Sequence, residues 1–204
     1  MAKKKTSTAG LSTEEKIKEA ARKVFLQKGY AATRTRDIAE EAGINLALLN
    51  YYFRSKEKLF EIVILEKMQL LLGRIGPILM NEDTSIEQKV EEIAAHYIDT
   101  LLAHPDIPLF VLGEIRNNPD KFASMIKSKA NFADSAFYRQ LAKRRPDVDP
   151  IHFIFNMLGL IVFPFIGKPL VQLIAGISKK EAVTIMNERK KLISTWFSAM
   201  LEAT

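Results

Sequence analysis

Residues 33–60, TRTRDIAEEAGINLALLNYYFRSKEKLF, decide the fold of this chain. Ile38 and Ala39 mark the inward face of a first short helix, which Gly43 ends because glycine readily takes the left-handed conformation. Asn45 is a preferred N-cap for a second short helix. The pattern predicts two short helices joined by a glycine-containing turn, which is the helix-turn-helix arrangement.

The second of these helices has an inward and an outward face. It is too short to be stable alone, so Leu49 and Phe53 must pack against the first helix. The side chains left free on the other face are Leu46, Ala47, Leu48, Asn50 and Tyr51. In a helix-turn-helix the second helix enters the major groove, so the free face is predicted to meet DNA.

The distribution of charge favours nucleic-acid binding. The chain has 204 residues and a net charge of +6. Residues 1–58 contain 13 Lys or Arg against 7 Asp or Glu, whereas residues 59–204 contain 17 of each. A basic module on a neutral body is typical of a nucleic-acid-binding protein. A solvated basic tail is the alternative, since Lys3, Lys4 and Lys5 supply half of the excess.

The rest of the sequence shows helical periodicity and no sustained period of two. Three pairs have the spacing of a capping box and so predict helix starts. These pairs are Ser12 and Glu15, Ser85 and Gln88, and Ser178 and Glu181. We expect an all-α fold of about nine helices. Its parts are a disordered basic tail over residues 1–11, a helix-turn-helix domain over residues 12–55, and a helical domain over residues 56–204.

The helical domain carries more specific expectations. Gly76 and Pro77 are predicted to help close the fourth helix, and one helix is predicted over residues 118–144. Pro164 should break or kink the helix that follows residue 149, because it lacks an amide hydrogen. The apolar run over residues 153–166 is predicted to be a buried helix, too short to span a bilayer.

The composition argues against catalysis and metal binding. The chain has no cysteine, so a disulfide, a thiolate nucleophile and a zinc–cysteine site are excluded. His96, His104 and His152 lack metal-ligand spacing, and no glycine-rich phosphate loop is present. No apolar signal core follows the basic N-terminus. We expect a cytoplasmic protein that is not an enzyme and uses no cofactor.

The motifs RDIAEEAGIN and YYFRSKEKLF resemble the DNA-binding domain of the TetR (tetracycline repressor) family. The resemblance covers roughly residues 12–60, and the remaining residues share only a helical architecture with the family. It implies a homodimeric bacterial regulator, usually a repressor, that binds a palindromic operator. It also implies that a small effector, bound in the helical domain, releases the DNA.

Family roles can be carried over to five residues. The resemblance implies that Thr35 holds a phosphate through its hydroxyl and the helix N-terminus. Arg36 would reach a base edge or a phosphate; a solvated side chain at helical spacing from Glu40 is the alternative. Asn50 would touch phosphate or base, while Tyr52 and Lys56 would hold phosphates. Such phosphate contacts fix the register on DNA, and base edges set the sequence preference.

The recognition helix departs from the common family pattern. Many relatives carry lysine and glycine or threonine where this chain has Leu46, Ala47 and Leu48. Apolar side chains can touch thymine methyl groups but cannot pair with guanine, whereas Asn45 and Asn50 can pair with adenine. We therefore expect an A·T-leaning operator. The apolar face also leaves an alternative function open, a helical interaction bundle that has lost specific DNA binding.

The helical domain is predicted to dimerise and to hold the effector. The resemblance implies dimerisation through the last two long helices, and a broad apolar stripe supports it, with packing inside one chain as the alternative. The interface prediction comprises Phe155, Arg189, Leu192, Ile193, Trp196, Phe197 and Met200. The pocket prediction comprises Phe110, Phe122, Met125, Phe137, Met157 and Phe163, with His96 and Tyr97 as polar contacts. Methionine and aromatic stripes are more often core than pocket. The helix over residues 56–74 is the candidate lever between the domains.

Overall fold

A computed structural model describes residues 12–117, 119–127 and 132–203, with only the backbone described for Lys121 and Met125. Across these residues all regular secondary structure is α-helical, which confirms the predicted fold class. The helices are α1 (Thr13–Ala32), α2 (Thr35–Ala42), α3 (Leu46–Tyr52), α4 (Lys56–Leu72), α5 (Ile75–Met80), α6 (Ile86–Ala103), α7 (Ile107–Asn117), α8 (Pro119–Lys127), α9 (Ala136–Arg144), α10 (Pro150–Ala175) and α11 (Lys179–Glu202). The predicted basic tail lies outside the described residues.

Eleven helices within the described ranges replace the nine expected. Gly76 and Pro77 do not simply close α4, because both lie in the first turn of α5. Proline is tolerated there, since the first amides of a helix have no partner within it. The single helix expected over residues 118–144 is also wrong. Ser135 starts α9 by accepting a hydrogen bond from the Tyr138 amide at 3.1 Å.

Local capping explains where several helices begin. All three predicted capping boxes are present. In the box that opens α6, the Gln88 amide donates to Ser85 Oγ at 3.2 Å, and the Ser85 amide donates to Gln88 Oε1 at 2.9 Å. Asp149 opens α10 by accepting from the Ile151 amide at 2.9 Å. These bonds satisfy amides that have no partner within the helix. Because they join residues two or three positions apart, the sequence alone predicted these helix starts.

The helix α10 differs from its prediction in length and in burial. It continues through Pro164 and Pro169 to Ala175, and Gly176, with a φ of +67°, is its C-cap. Beyond Ile161 its side chains are half-buried or exposed in the isolated chain, so the predicted buried helix is wrong there. The helix satisfies length and composition criteria for a membrane span, with a mean hydropathy of 1.8 over an 18-residue window of which 11% is buried. Core helices of soluble proteins can meet the same criteria.

The chain divides into two compact units between Lys67 and Met68, so α4 contributes to both. The core of the first unit lies between α1, the helix-turn-helix and the start of α4. Phe25 and Phe60 pack there edge to face with ring centroids 4.8 Å apart. The core of the second unit centres on α6, which packs most extensively against α11. Phe137 and Phe197 are fully buried in it.

Candidate nucleic-acid interface

A tight turn sets the geometry between α2 and α3. Gly43 ends α2 with φ +68° and ψ +31°, and its amide donates to the carbonyl of Glu40 at 3.1 Å. The Ile44 amide donates to the carbonyl of Ala39 at 3.0 Å. These bonds satisfy carbonyls at the end of α2, and the left-handed φ is one that glycine takes without strain. The glycine turn predicted from the sequence is confirmed.

Asn45 caps α3, as the sequence predicts. Its Oδ1 accepts a hydrogen bond from the Leu48 amide at 2.8 Å. The amide oxygen has two lone pairs, so one remains for a base together with the side-chain NH2. The predicted pairing of Asn45 with adenine stays a prediction.

The second helix of the motif presents one buried and one open face. Leu49 is 0% exposed and Phe53 is 5% exposed, which confirms the predicted inward face. Tyr51 is 81% exposed. We call the open side of α3 the recognition face. It consists of Ala47, Leu48, Asn50, Tyr51 and Tyr52, all of which are exposed. Leu46 is half-buried and contributes less to this face than predicted.

The two tyrosines of the recognition face contact each other. The rings of Tyr51 and Tyr52 meet edge to face, with centroids 5.4 Å apart. A phenol hydroxyl can donate to a phosphate oxygen or accept from a base. The pair therefore adds polar groups to a surface whose other members, apart from Asn50, are apolar.

The first turn of α2 carries two further residues that the sequence predicts to contact DNA. Thr35 is half-buried at the first helical position and Arg36 is exposed. No ion pair joins Arg36 to Glu40 among the residues that the structure describes, so the guanidinium is available to a ligand. The predicted roles of Thr35 and Arg36 in DNA contact stay predictions.

Asp37 is a structural residue of this site that the sequence analysis missed. Its carboxylate accepts from the Arg34 amide at 2.9 Å and pairs with Lys28 at 3.1 Å. The bond from the Arg34 amide, followed by that from Lys28, lowers the pKa of Asp37. An acid at the third position of a helix is a known capping pattern, so this role could have been predicted.

Lys56, predicted to hold a phosphate, is already engaged within the protein. Its ammonium donates to the backbone carbonyls of Tyr30 and Thr33, each at 2.9 Å. It also lies 4.2 Å from the centroid of the Tyr30 ring, at cation–π distance. An ammonium has three donor hydrogens, so one remains for a phosphate.

The side chains of α1 and α4 form a charged cluster in the first unit. Glu66 of α4 pairs with Lys18 at 3.3 Å and with Arg22. Glu14 and Glu19 pair with the same two cations, at 3.2 and 2.7 Å. Burial is the largest single influence and would raise the pKa of Glu66, but the hydrogen bonds and charges of Arg22 and Lys18 together outweigh it, and the pKa is lowered. The cluster joins the middle of α4 to α1.

Of the residues predicted for a dimer interface, five are exposed or half-buried and two are buried inside the chain. Phe155, Leu192 and Trp196 are exposed, and Met200 and Arg189 are half-buried. Ile193 and Phe197 are 0% exposed in the isolated chain, so they belong to its core and their assignment to the interface is corrected. The ring of Phe197 packs there against Phe137 of α9 and Phe153 of α10, with centroids 6.3 and 5.7 Å away.

Arg189 links the two long helices within one chain. Its Nη2 donates to the carbonyl of Leu160 on α10 at 2.6 Å. The guanidinium carbon lies 5.0 Å from the centroid of the Trp196 ring. Burial lowers the pKa of Arg189. Its contacts therefore hold Trp196 and α10 in place beside the exposed apolar surface.

The residues predicted for an effector pocket are mostly buried in the second unit. Tyr97, Phe110, Phe122, Phe137 and Met157 are buried. Their burial fits either a core or a pocket lining, so the pocket stays a prediction.

Three members of the pocket prediction need separate comment. Phe163 is 67% exposed, so it does not line the interior of its own chain, and its assignment is corrected. The side chain of Met125 lies outside the described residues. His96 is half-buried, with its Nε2 3.1 Å from the carbonyl oxygen of Leu71. Burial raises the pKa of Tyr97 to about 12, which keeps its hydroxyl protonated.

Comparisons with known proteins agree with this geometry. The family model described as "Bacterial regulatory proteins, tetR family" matches residues 17–63. The chain is 28% identical over 157 residues to "HTH-type transcriptional repressor KstR2" of Mycolicibacterium smegmatis, covering 71% of this chain and 73% of the relative. It is 25% identical over 162 residues to "Probable HTH-type transcriptional regulator YttP" of Bacillus subtilis, covering 76% and 78%.

A solved structure shows the same fold. The transcriptional regulator SCO4942 from Streptomyces coelicolor superposes with a TM-score of 0.66 at 21% identity, covering 93% of this chain and 98% of that one. The family match falls on the helices that form the recognition face, and the two relatives extend the likeness over most of the chain. Residues 17–63 thus match the tetR family of bacterial regulatory proteins, and most of the chain is similar to two HTH-type transcriptional regulators.

Proposed function

We propose that this protein is a dimeric transcriptional repressor that binds a palindromic operator and releases it when a small effector binds. The observation that carries the proposal is the recognition face. Five neighbouring side chains of α3 are exposed, while Leu49 on its inner side is fully buried. A seven-residue helix held in this way can enter a major groove without losing its packing.

Repression, as opposed to activation, is supported by a relative. The KstR2 protein of Mycolicibacterium smegmatis is named a repressor and is similar to most of this chain. A protein that occupies an operator blocks transcription without needing any other activity. We infer that the chain acts in the cytoplasm, where the DNA is, and that it catalyses no reaction.

The apolar surface of the last two helices supports a dimer. Phe155 is 66% exposed, and further large apolar side chains continue the surface to the end of α10. Two such helices from each subunit can form a four-helix bundle that covers this surface. A dimer presents two recognition helices, which must lie about 34 Å apart to contact successive turns of a palindrome.

Thermodynamic linkage between effector binding and DNA binding explains how an effector would release the operator. A ligand that binds one conformation of the dimer more tightly than another shifts the population towards it. If that conformation has a different spacing of the recognition helices, DNA affinity falls by the same coupling free energy. The aromatic and methionine side chains in the core of the second unit suit an apolar effector.

The operator is proposed to be rich in A·T at the contacted positions. Ala47 and Leu48 can contact thymine methyl groups, and Asn50 can form two hydrogen bonds with adenine. The recognition face carries no lysine or arginine that could pair with guanine. Arg36 is proposed to reach a base edge or a phosphate, and the tyrosines are proposed to contact phosphates.

Selection of bound fragments from the genome of the source organism tests the proposal. We expect a palindromic consensus with A·T pairs at the contacted half-site positions, and an affinity that falls steeply with salt. The helical interaction bundle would instead show no site preference. A consensus rich in G·C at those positions would contradict the proposed specificity, and absence of any specific site would contradict the repressor.

A further inference from the structure

The first proline inside α10 leaves one backbone carbonyl without its usual partner. In an α-helix each amide donates to the carbonyl four positions earlier, so residue 164 would donate to Leu160. Pro164 has no amide hydrogen, and its ring crowds the same carbonyl. The helix nevertheless continues past it to Ala175. The carbonyl of Leu160 therefore needs a donor from outside α10.

Arg189 of α11 is that donor. Its Nη2 lies 2.6 Å from the carbonyl oxygen of Leu160. A charged donor forms a stronger hydrogen bond than the neutral amide that it replaces. The guanidinium carbon lies 5.0 Å from the centroid of the Trp196 ring, which holds the side chain in one orientation. Among the residues that the structure describes, no carboxylate pairs with Arg189, and burial is the one cause that shifts its pKa.

The bond between Arg189 and Leu160 lies where α10 leaves the core of the second unit. Ile161 is the last buried residue of the helix, and every side chain from residue 162 to residue 175 is half-buried or exposed. Leu173, near the end, is 83% exposed. A helix bends most easily at a proline. Since no side chain beyond Ile161 is buried in the core, the direction of this part of α10 depends on contacts with α11 close to Pro164.

We propose that Arg189 is a positioning residue that replaces the hydrogen bond removed by Pro164 and so orients the exposed end of α10 for pairing with a second copy of the chain. This rests on the proposed function, because the proposed dimer is the state in which the apolar side chains beyond Pro164 are covered. Without the bond the end of α10 takes more directions, and association must then restrict it at a cost in entropy. A symmetric dimer contains the bond twice, so the loss affects both subunits.

A double-mutant cycle between residues 164 and 189 tests the proposal in the full-length protein. Arg189→Met keeps a long side chain and removes the donor. Pro164→Ala supplies an amide that can donate to Leu160 within the helix. A third variant combines both substitutions. Lys191→Met is the matched control, because it removes an exposed cation two positions further along α11. Sedimentation equilibrium gives the dimer dissociation constant of each protein, and thermal unfolding gives its stability.

We expect Arg189→Met to raise the dimer dissociation constant by about 10-fold or more, because one charge-assisted hydrogen bond is lost in each subunit. In the Pro164→Ala background the same substitution should raise it by less than about 3-fold, since the carbonyl is then satisfied without Arg189. Lys191→Met should leave it unchanged. A merely structural role would lower the melting temperature of Arg189→Met without weakening the dimer, and Pro164→Ala would not rescue assembly.

Two results would overturn the proposal. They are an unchanged dissociation constant in a folded Arg189→Met protein, and an equal effect of that substitution in both backgrounds. If Arg189→Met does not fold alone, recovery of a folded dimer by the combined variant supports the bond, and a second unfolded protein contradicts it.

Failure of the proposed function gives a different result. In that case the unaltered protein itself sediments as a monomer, and the role of Arg189 in assembly fails with the dimer. The melting temperatures of the same proteins then show separately whether Arg189 satisfies the carbonyl that Pro164 leaves free.

Discussion

The ammonium of Lys56 lies 2.9 Å from the backbone carbonyl oxygen of Tyr30 and 4.2 Å from the centroid of the same residue's ring. One side chain at the start of α4 thus satisfies the backbone at the end of α1 and packs on an aromatic ring there. The residue that the family resemblance assigns to phosphate binding is also a structural link between two helices. Its two roles can be separated experimentally.

Replacing Lys56 with alanine is expected to lower both stability and DNA affinity. The carbonyls of Tyr30 and Thr33 lose a charged donor, which should cost about 1–3 kcal/mol of unfolding free energy. If the remaining hydrogen binds a phosphate, affinity falls similarly on all sequences, and the salt slope falls by about 1. Denaturant unfolding and salt titration measure the two effects. Lys58→Ala is the control, because that side chain is exposed two positions further on. A stability loss with an unchanged salt slope would remove Lys56 from the phosphate contacts.

The sequence was sufficient to predict the caps and turns that depend on residues close together in the chain. The capping boxes, the Asn45 cap and the Gly43 turn all rest on bonds between residues three to five positions apart. The inward positions Leu49 and Phe53 followed from helical periodicity. Local rules were sufficient because these bonds form inside a single turn, whatever the rest of the chain does.

The features that the sequence missed depend on distant contacts. The Lys56 ammonium contacts Tyr30, 26 positions earlier in the chain, and nothing in the local pattern distinguishes it from a free cation. Periodicity placed Ile193 and Trp196 on one broad stripe, but only the folded chain shows that Ile193 is buried and Trp196 is exposed. The exposure of Phe163 likewise depends on which side of α10 the chain itself covers.

Asn50→Ala tests the assignment of base contacts on the recognition face. A bidentate pair with adenine contributes about 1–3 kcal/mol of discrimination, so its loss should change the ranking of operator variants. Tyr52→Phe is the comparison, since loss of a phosphate donor should weaken all operators by a similar factor. Binding to a panel of single-base operator variants measures both. An equal loss on every operator would make Asn50 a phosphate contact instead.

The turn between α2 and α3 should be sensitive to the loss of Gly43. An added Cβ at Gly43 would meet no atom within 4 Å, so the cost comes from the left-handed backbone alone. We expect Gly43→Ala to lose about 1–2 kcal/mol of unfolding free energy and Gly43→Asn to lose less. Gly113→Ala is the matched control, because its Cβ also meets open space but lies inside α7. At this position inside a helix, alanine should raise the free energy of unfolding by about 0.5–1 kcal/mol. Similar losses in all three variants would contradict the role of backbone conformation.

The Glu66 cluster predicts a specific response to acid. Because its pKa is lowered in the folded protein, Glu66 stabilises the fold above the pKa that it has when unfolded. This stabilisation is lost as the pH falls through the lowered folded value. Glu66→Gln should therefore melt at a lower temperature than the unaltered protein at pH about 7, and the difference should shrink towards pH about 3. Glu40→Gln, which alters an exposed carboxyl on α2, is the comparison. A difference in melting temperature that stays constant with pH would show that charge on Glu66 is not what holds α4.

The exposed side of α10 should control assembly and, through it, operator affinity. A carboxylate at Phe155 would be buried without a partner if the two long helices meet those of a second chain, so Phe155→Asp is expected to yield monomers. Loss of the second recognition helix should reduce affinity for a palindrome by about 100-fold or more, because binding of the second half-site is no longer intramolecular. Sedimentation equilibrium and operator titration measure the two effects. Leu109→Asp is the matched control, since Leu109 is 63% exposed on α7 and does not lie on either of the two long helices. A Phe155→Asp protein that remains dimeric would place the interface elsewhere, and a monomer that keeps full operator affinity would contradict recognition by a pair of helices.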